Sequence, residues 1–293
     1  MTNDQSHSHA VHPEMLHLPL LPEGAIGIDA GMTLTKVAHA TPDGIVLDAR
    51  ETRTVFTDHG WSAMRNAARA NGRAGVTGAK IAVVPDPGEH LRVDELEASA
   101  RGVVALLAAE HRLGDAPFLM AMLGTGTSFA IIRGNEIQHL GGTALGGGSF
   151  AGMAHRVDPS LTYESMITRA EHGDRRNVDT MVSDLYPDGI GRVSADMTAA
   201  HLAQRGQGSL DDFLAGLLNL HAESIAQIAA SRARMADLTR LVVAGGFAHN
   251  NNVMMQMFGK IAGMFGITVE TVPAPGYAGA IGAALIAAES TPK

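Results

Sequence analysis

Leu123 to Phe150 reads LGTGTSFAIIRGNEIQHLGGTALGGGSF, two glycine-rich turns joined by a β-hairpin. Gly124, Thr125, Gly126, Thr127 and Ser128 follow the apolar run from Phe118 to Leu123. Glycines there let the backbone turn tightly and aim N–H groups at an anion, and the hydroxyls add donors. Ser128 to Arg133 has strand character, Gly134-Asn135 turns the chain, and Glu136 to Leu140 returns, which is a strong hairpin pattern. The hairpin leads into Gly141-Gly142-Thr143-Ala144-Leu145-Gly146-Gly147-Gly148, where side chains are nearly absent and another molecule can lie against bare backbone. One such cluster is equally well read as a flexible turn. Two, on either side of one hairpin, favour a ligand.

The same order of elements occurs earlier. Gly24 to Asp29 reads as a strand, Ala30 to Thr33 as a small-residue turn, Leu34 to Ala40 as a second strand, Pro42-Asp43-Gly44 as a turn, and Ile45 to Leu47 as a third strand. The repetition predicts a duplicated architecture, two domains that each begin in an antiparallel hairpin and offer the first turn to a shared cleft. Residues 1–22, polar and carrying His7, His9, His12 and His17, are expected to be a disordered tail, followed by domains over 23–115 and 116–293. Between the hairpins, helical spacing covers Trp61 to Asn71, and Ala74 to Val84 reads as strand, turn and strand around Gly78. Val93 to Ala109 reads as a helix with Asp94, Glu95 and Glu97 at its favourable end. Helices are expected over Leu161–His172, Val178–Leu185, Ala195–Gln204 and Asp211–Met235. A buried strand follows at Arg240 to Gly246, another strand at Gly266 to Thr271, and a small-residue helix at Tyr277 to Ala288.

Composition limits the function classes. The chain has 293 residues, 45% of them apolar, enough for a sizeable core. A formal charge of -8 argues against general nucleic-acid binding. The absence of cysteine removes disulfides, thiolate nucleophiles and zinc–cysteine sites. No apolar run reaches spanning length, so the sequence reads as soluble, untargeted and cytoplasmic.

Asp29 closes the first strand just before Ala30-Gly31-Met32-Thr33, with Thr35 and Lys36 on the returning strand. An aspartate so placed can hold Mg²⁺ through its water shell while the turn takes phosphate oxygens, although an Asx turn is the plainer reading of Asp29 alone. Gly245-Gly246 after the last buried strand can let a flat adenine lie on backbone.

The segments GIDAGMTLTK, LGTGTS, GGTALGGGSFAG and VVAGGFAHNN, in this order from Gly27 to Asn251, resemble the type II, or eukaryotic-type, pantothenate kinases of the actin-like ATPase superfamily. Ala170 to Asp179, AEHGDRRNVD, is a further likeness. The resemblance implies an α/β fold of two ribonuclease H-like domains around a nucleotide cleft. It implies transfer of the ATP γ-phosphoryl group to the primary hydroxyl of pantothenate with Mg²⁺, by a homodimer. Carried over, the first phosphate loop is Asp29, Ala30, Gly31, Met32, Thr33, Leu34, Thr35 and Lys36. The other nucleotide contacts are Thr125, Gly126, Thr127, Gly146, Gly147, Gly148, Ser149, Phe150, Tyr163, Gly245 and Gly246. His139 and Thr143 are the implied substrate contacts.

Three features depart from the family pattern. Met32 replaces a usual second glycine. Counting from Val76-Thr77-Gly78-Ala79 places the catalytic carboxylate near Asp86, whereas counting back from Arg101-Gly102 lands near Val84, so Asp86 is the first candidate and Glu89 the second. His139 stands where the family has an arginine for the substrate carboxylate, and it lacks the two-pronged guanidinium. A sugar-like kinase of the same fold, or a non-catalytic nucleotide-binding relative, remain the alternatives.

Overall fold

The computed structural model describes residues 14–55, 73–80, 90–204, 206 and 208–290. They fall into two compact units, one made of the described residues up to Gly114 together with those from Tyr277 onward, the other of those between Asp115 and Gly276.

In the first unit Glu14–Leu16 forms a short edge strand, β1, so the segment expected to be a disordered tail is ordered from there on. The hairpin strands are β2 (Ala25–Ala30), β3 (Leu34–Thr41) and β4 (Gly44–Glu51), followed by β5 (Arg73–Thr77) and β6 (Leu91–Arg92). Their order in the sheet is β1-β4-β3-β2-β5-β6. β1 pairs antiparallel to β4, with Glu14 opposite Leu47. His17 Nδ1 lies 3.1 Å from the Asp43 carbonyl oxygen, tying the chain after β1 to the β3–β4 turn. β2 is antiparallel to β3 and parallel to β5. Helix α1 (Glu95–Ala109) follows β6, its first turn capped by Asp94, which accepts from the Leu96 and Glu97 amides.

The second unit begins with β7 (Phe118–Leu123), β8 (Thr127–Arg133) and β9 (Glu136–Thr143). Helices α2 (Gly147–Val157) and α3 (Tyr163–His172) come next, then the short strands β10 (Thr180–Met181) and β11 (Thr198–Ala200). The long helix α4 (Leu210–Met235), β12 (Arg240–Ala244), α5 (Asn252–Met264) and β13 (Thr268–Thr271) complete it. The sheet order is β13-β12-β7-β8-β9. Antiparallel pairs join β7, β8 and β9, and parallel pairs join β7, β12 and β13. Read from the third hairpin strand, β9-β8-β7-β12-β13 repeats β4-β3-β2-β5-β6 pair for pair, so the duplication expected from the two hairpins is present in the topology. Leu119, Phe129, Phe150, Leu218, Leu241 and Phe258 belong to one buried cluster under this sheet.

Two expected helices are absent. Over 178–185 and 195–204 the chain instead forms the two-stranded β10–β11 ladder and a short 3-10 turn, Val182–Asp184. Buried Asp179 explains this, because it accepts from the Leu202 amide at 2.8 Å and from Arg175 at 3.3 Å, tying the two stretches side by side. Trp61 to Asn71 lies outside the described residues.

Helix α6 (Ala278–Ser290) belongs to the first unit, not to the segment 116–293 where the sequence reading put it. Glycines let it press on the β2–β5 surface and on α1. A Cβ on Gly27 would meet the Ala280 carbonyl oxygen at 1.8 Å, on Gly75 the Ala283 oxygen at 2.1 Å, and on Gly102 the Ala278 oxygen at 1.9 Å. Backbone cannot yield to such overlaps without moving a whole helix. Gly27→Ala is therefore expected to cost about 3 kcal/mol, the upper end for an overpacked core. A denaturant melt checks this, and a variant within 1 kcal/mol of the parent, by order of magnitude, would contradict the packing.

Candidate active site

The first unit gathers ionisable groups at the end of β2. Asp29 and Lys36 stand opposite each other across the β2–β3 pair. Their charged atoms are 3.8 Å apart, and each side chain keeps 16% of its surface. Asp29 lies against two glycines, since a Cβ on Gly78 would fall 2.6 Å from its Oδ1 and a Cβ on Gly279 would fall 3.0 Å from its Oδ2. Gly78 also has φ +103, which excludes most side chains independently.

Glu95, the first residue of α1, completes the group. Its carboxyl is pushed above the ordinary glutamate range, first by burial, then by the Asp29 carboxylate, with Asp94 adding and Lys36 opposing. Glu95 nevertheless keeps an exposed surface, so a ligand can reach it. A carboxyl with raised proton affinity, reachable from solvent and beside a second carboxylate and an ammonium, is suited to take a proton from a hydroxyl. The sequence reading grouped Glu95 with Asp94 and Glu97 as acids suited to a helix start. Asp94 does serve there, whereas the Glu95 carboxyl feels the charge of Asp29. The residues proposed from sequence for the base, Asp86 and Glu89, lie outside the described residues.

The turn Ala30-Gly31-Met32-Thr33 is exposed at Met32 and Thr33 and held from behind by Thr52. The Thr52 hydroxyl donates to the Gly31 carbonyl at 2.8 Å, and its amide donates to Thr33 at 2.9 Å. Thr35 is fully buried and its hydroxyl pairs with that of Thr52 at 3.1 Å. Thr35 thus braces the turn from within through its hydroxyl. Leu34 is half-buried at the start of β3.

In the second unit the two glycine-rich turns lie against each other. The Gly147 amide donates to the Gly124 carbonyl at 2.8 Å and the Gly148 amide to the Thr125 carbonyl at 3.0 Å. A Cβ on Gly146 would approach the Thr125 oxygen to 2.6 Å. The glycines of the second turn therefore serve close approach between turns, and two of their amides are already engaged. Thr127 is buried and donates to the Leu145 carbonyl at 2.9 Å, locking the same contact. Gly124 and Thr125 stay exposed.

Ser149 and Phe150 start α2. Phe150 is fully buried, its ring 5.6 Å from that of Phe247 and 6.4 Å from that of Tyr163, so only its backbone can meet a ligand. Tyr163 is 40% exposed. Gly245, with φ +102, packs on Leu123, and its amide donates to the Pro275 carbonyl at 2.8 Å. Gly246 is half-buried. His139 is exposed on β9, its Nε2 3.1 Å from the Ser128 hydroxyl. The Thr143 hydroxyl accepts from the Leu145 amide at 3.3 Å.

The Fumble family profile matches residues 105–286. A type II pantothenate kinase of Oceanobacillus iheyensis is 29% identical over 270 residues, covering 89% of this chain and 98% of that protein. A type II pantothenate kinase of Staphylococcus aureus is 27% identical over 267 residues, covering 88% and 97%. Among solved structures, an activator of 2-hydroxyisocaproyl-CoA dehydratase from Clostridium difficile with bound ADPNP matches with TM-score 0.59 at 17% identity, over 90% of this chain and 94% of that one. A ROK family glucokinase from Streptomyces griseus in complex with glucose and AMPPNP matches with TM-score 0.52 at 16% identity, over 91% and 99%. At these identities the structural likeness speaks for the duplicated actin-like ATPase fold alone.

Proposed function

Because this chain belongs to the Fumble family, that of the type II pantothenate kinases, we propose that its chemistry is transfer of the ATP γ-phosphoryl group to the primary hydroxyl of pantothenate, the first step of coenzyme A biosynthesis. The observation that carries the mechanism is the convergence of Glu95, Asp29 and Lys36.

Phosphoryl transfer asks little covalent help of the protein, so positioning, charge neutralisation and a proton acceptor are what the residues must supply. Glu95 is the acceptor of the hydroxyl proton. Its raised proton affinity makes it a better base than an ordinary surface glutamate. Lys36 offsets charge near the Ala30–Thr33 turn, whose amides take phosphate oxygens. Thr125 and the exposed part of the Gly124–Ser128 turn do the same in the second unit, and Gly146–Phe150, Tyr163, Gly245 and Gly246 take the nucleoside.

Asp29 fits Mg²⁺ held through water. Among the described residues no three His, Cys, Asp or Glu side chains gather to ligate an ion directly, and contact through water suits a cation that keeps most of its hydration shell. Bound there, Mg²⁺ supplies neutralisation of the phosphate charge.

His139, with Thr143 nearby on the same strand, is assigned to the pantothenate carboxylate. His139→Arg, which supplies a fixed two-pronged donor, is expected to lower the pantothenate KM about fivefold with the ATP KM unchanged. An unchanged pantothenate KM in both His139→Arg and His139→Ala would remove it from the site.

Homodimer formation is supported by Leu185, Tyr186, Ile190 and Val193, apolar side chains exposed together on the segment before β11. No helix among the described residues is long and apolar enough to cross a membrane, and a cytoplasmic location suits the substrates. The deciding experiment is purified protein with Mg·ATP and a panel of pantothenate, glucose and N-acetylmannosamine, reading ADP release and product mass. Phosphopantothenate is the expected product. Phosphorylation of a sugar in its place, or none, would overturn the assignment.

A further inference from the structure

His221 on α4 is fully buried, yet it is joined to the first turn of α2. Its Nδ1 lies 2.8 Å from the Leu217 carbonyl, and its Nε2 lies 2.9 Å from the Ser149 hydroxyl. A carbonyl oxygen can only accept, so Nδ1 carries a hydrogen, and in the neutral ring Nε2 is bare. Ser149 then donates to Nε2 while its oxygen accepts from the Gly146 amide at 3.0 Å. The Gly146 carbonyl also lies 3.0 Å from the same hydroxyl, as a second possible acceptor. The imidazole stands edge to face with Phe150 and Phe247, at ring separations of 5.8 and 6.1 Å, which fixes it in place.

We propose that His221 is a positioning residue for the nucleotide turn, acting through Ser149. Neutral imidazole takes the hydroxyl proton. The imidazolium donates to the Ser149 oxygen and turns that proton onto the Gly146 carbonyl. The Gly146 amide then shares its acceptor with Nε2–H, the turn at Gly146–Gly148 is held less firmly, and ATP binds more weakly. No proton leaves Ser149, since the added one stays on His221. The inference rests on the assignment of Gly146–Phe150 to the nucleotide.

Burial lowers the proton affinity of His221 below the ordinary histidine value, the Leu217 bond opposes this, and nearby His201 adds to the lowering. Of the other residues contacting the ring, Ser149, Phe150 and Phe247 carry no charge. The transition is therefore expected below the ordinary imidazole value of about 6.5.

The test measures the Mg·ATP dissociation constant by calorimetry from pH 7.5 down to the acid limit of folding, together with the Gly146 amide resonance of the ¹⁵N-labelled full chain. Wild type is expected to weaken about fivefold with falling pH, the worth of one hydrogen bond, and its Gly146 resonance to follow the same midpoint. His221→Gln, which can still accept from Ser149 but cannot titrate, should lose both pH dependences whatever its affinity at pH 7.5. Ser149→Ala should bind about fivefold more weakly at pH 7.5 and show no midpoint. A His221→Gln variant that keeps the Gly146 transition, or ATP binding indifferent to both replacements, overturns the relay alone. Wild-type protein that binds no ATP at any pH overturns the nucleotide assignment, and with it this role.

Discussion

Glu95→Gln is expected to lower kcat for pantothenate by about 10²–10⁴, the range for loss of a positioned general base. The amide keeps the size of the side chain and cannot take a proton. A base works when ionised, so the parent enzyme should lose activity as pH falls through the Glu95 value. That value lies above the ordinary glutamate range because burial and Asp29 raise it. Stability should move the other way. An acid whose folded value is raised binds its proton more readily folded than unfolded, so its ionisation above that value weighs against the fold. The Gln variant should melt no lower than the parent at pH 7, and steady-state kinetics beside a thermal melt check both. Turnover within tenfold of the parent would mean that the base lies elsewhere, with Asp86 and Glu89 next to be replaced.

Asp29→Asn is expected to cost about 10²–10³ in kcat, comparable to loss of one preorganised electrostatic contact in a site of this kind. The substitution removes the carboxylate assigned to the Mg²⁺ shell and leaves Lys36 without its partner at 3.8 Å. A second effect distinguishes this from general damage. Because the Asp29 charge helps raise Glu95, the residual activity of the Asn variant should have its acid limb displaced to lower pH. A pH–rate profile with an unmoved limb would separate Asp29 from Glu95. Unchanged turnover would remove Asp29 from the reaction altogether.

The hairpins and their glycine turns were legible because they are local: alternation, tight-turn residues and small-residue runs act within a few positions of one another. The duplicated architecture followed from recognising that one such unit occurs twice. What sequence spacing missed is tertiary. Glu95 begins a helix where an acid is favourable anyway, and only the fold brings it within the electrostatic reach of Asp29. Thr35 and Thr127 have the hydroxyls a phosphate site needs, but both are spent on neighbouring chain, Thr52 in one case and Leu145 in the other. The helices expected over 178–185 and 195–204 failed because buried Asp179 organises those residues as pairs across a ladder, a demand that helical spacing does not register.

Helix α6 carries a consequence for the order in which the chain can assemble during synthesis. Residues 115–276 form a continuous segment, so every strand of that unit is synthesised before α6. The first unit starts earlier but cannot cover the glycine-lined surface at Gly27, Gly75 and Gly102 until Ala278 to Ser290 emerge. Vectorial synthesis usually lets the leading domain fold first, and here that advantage passes to the trailing one. A released chain truncated before Ala278 should hold a protease-resistant core over 115–276 beside a leading segment that is still cleaved.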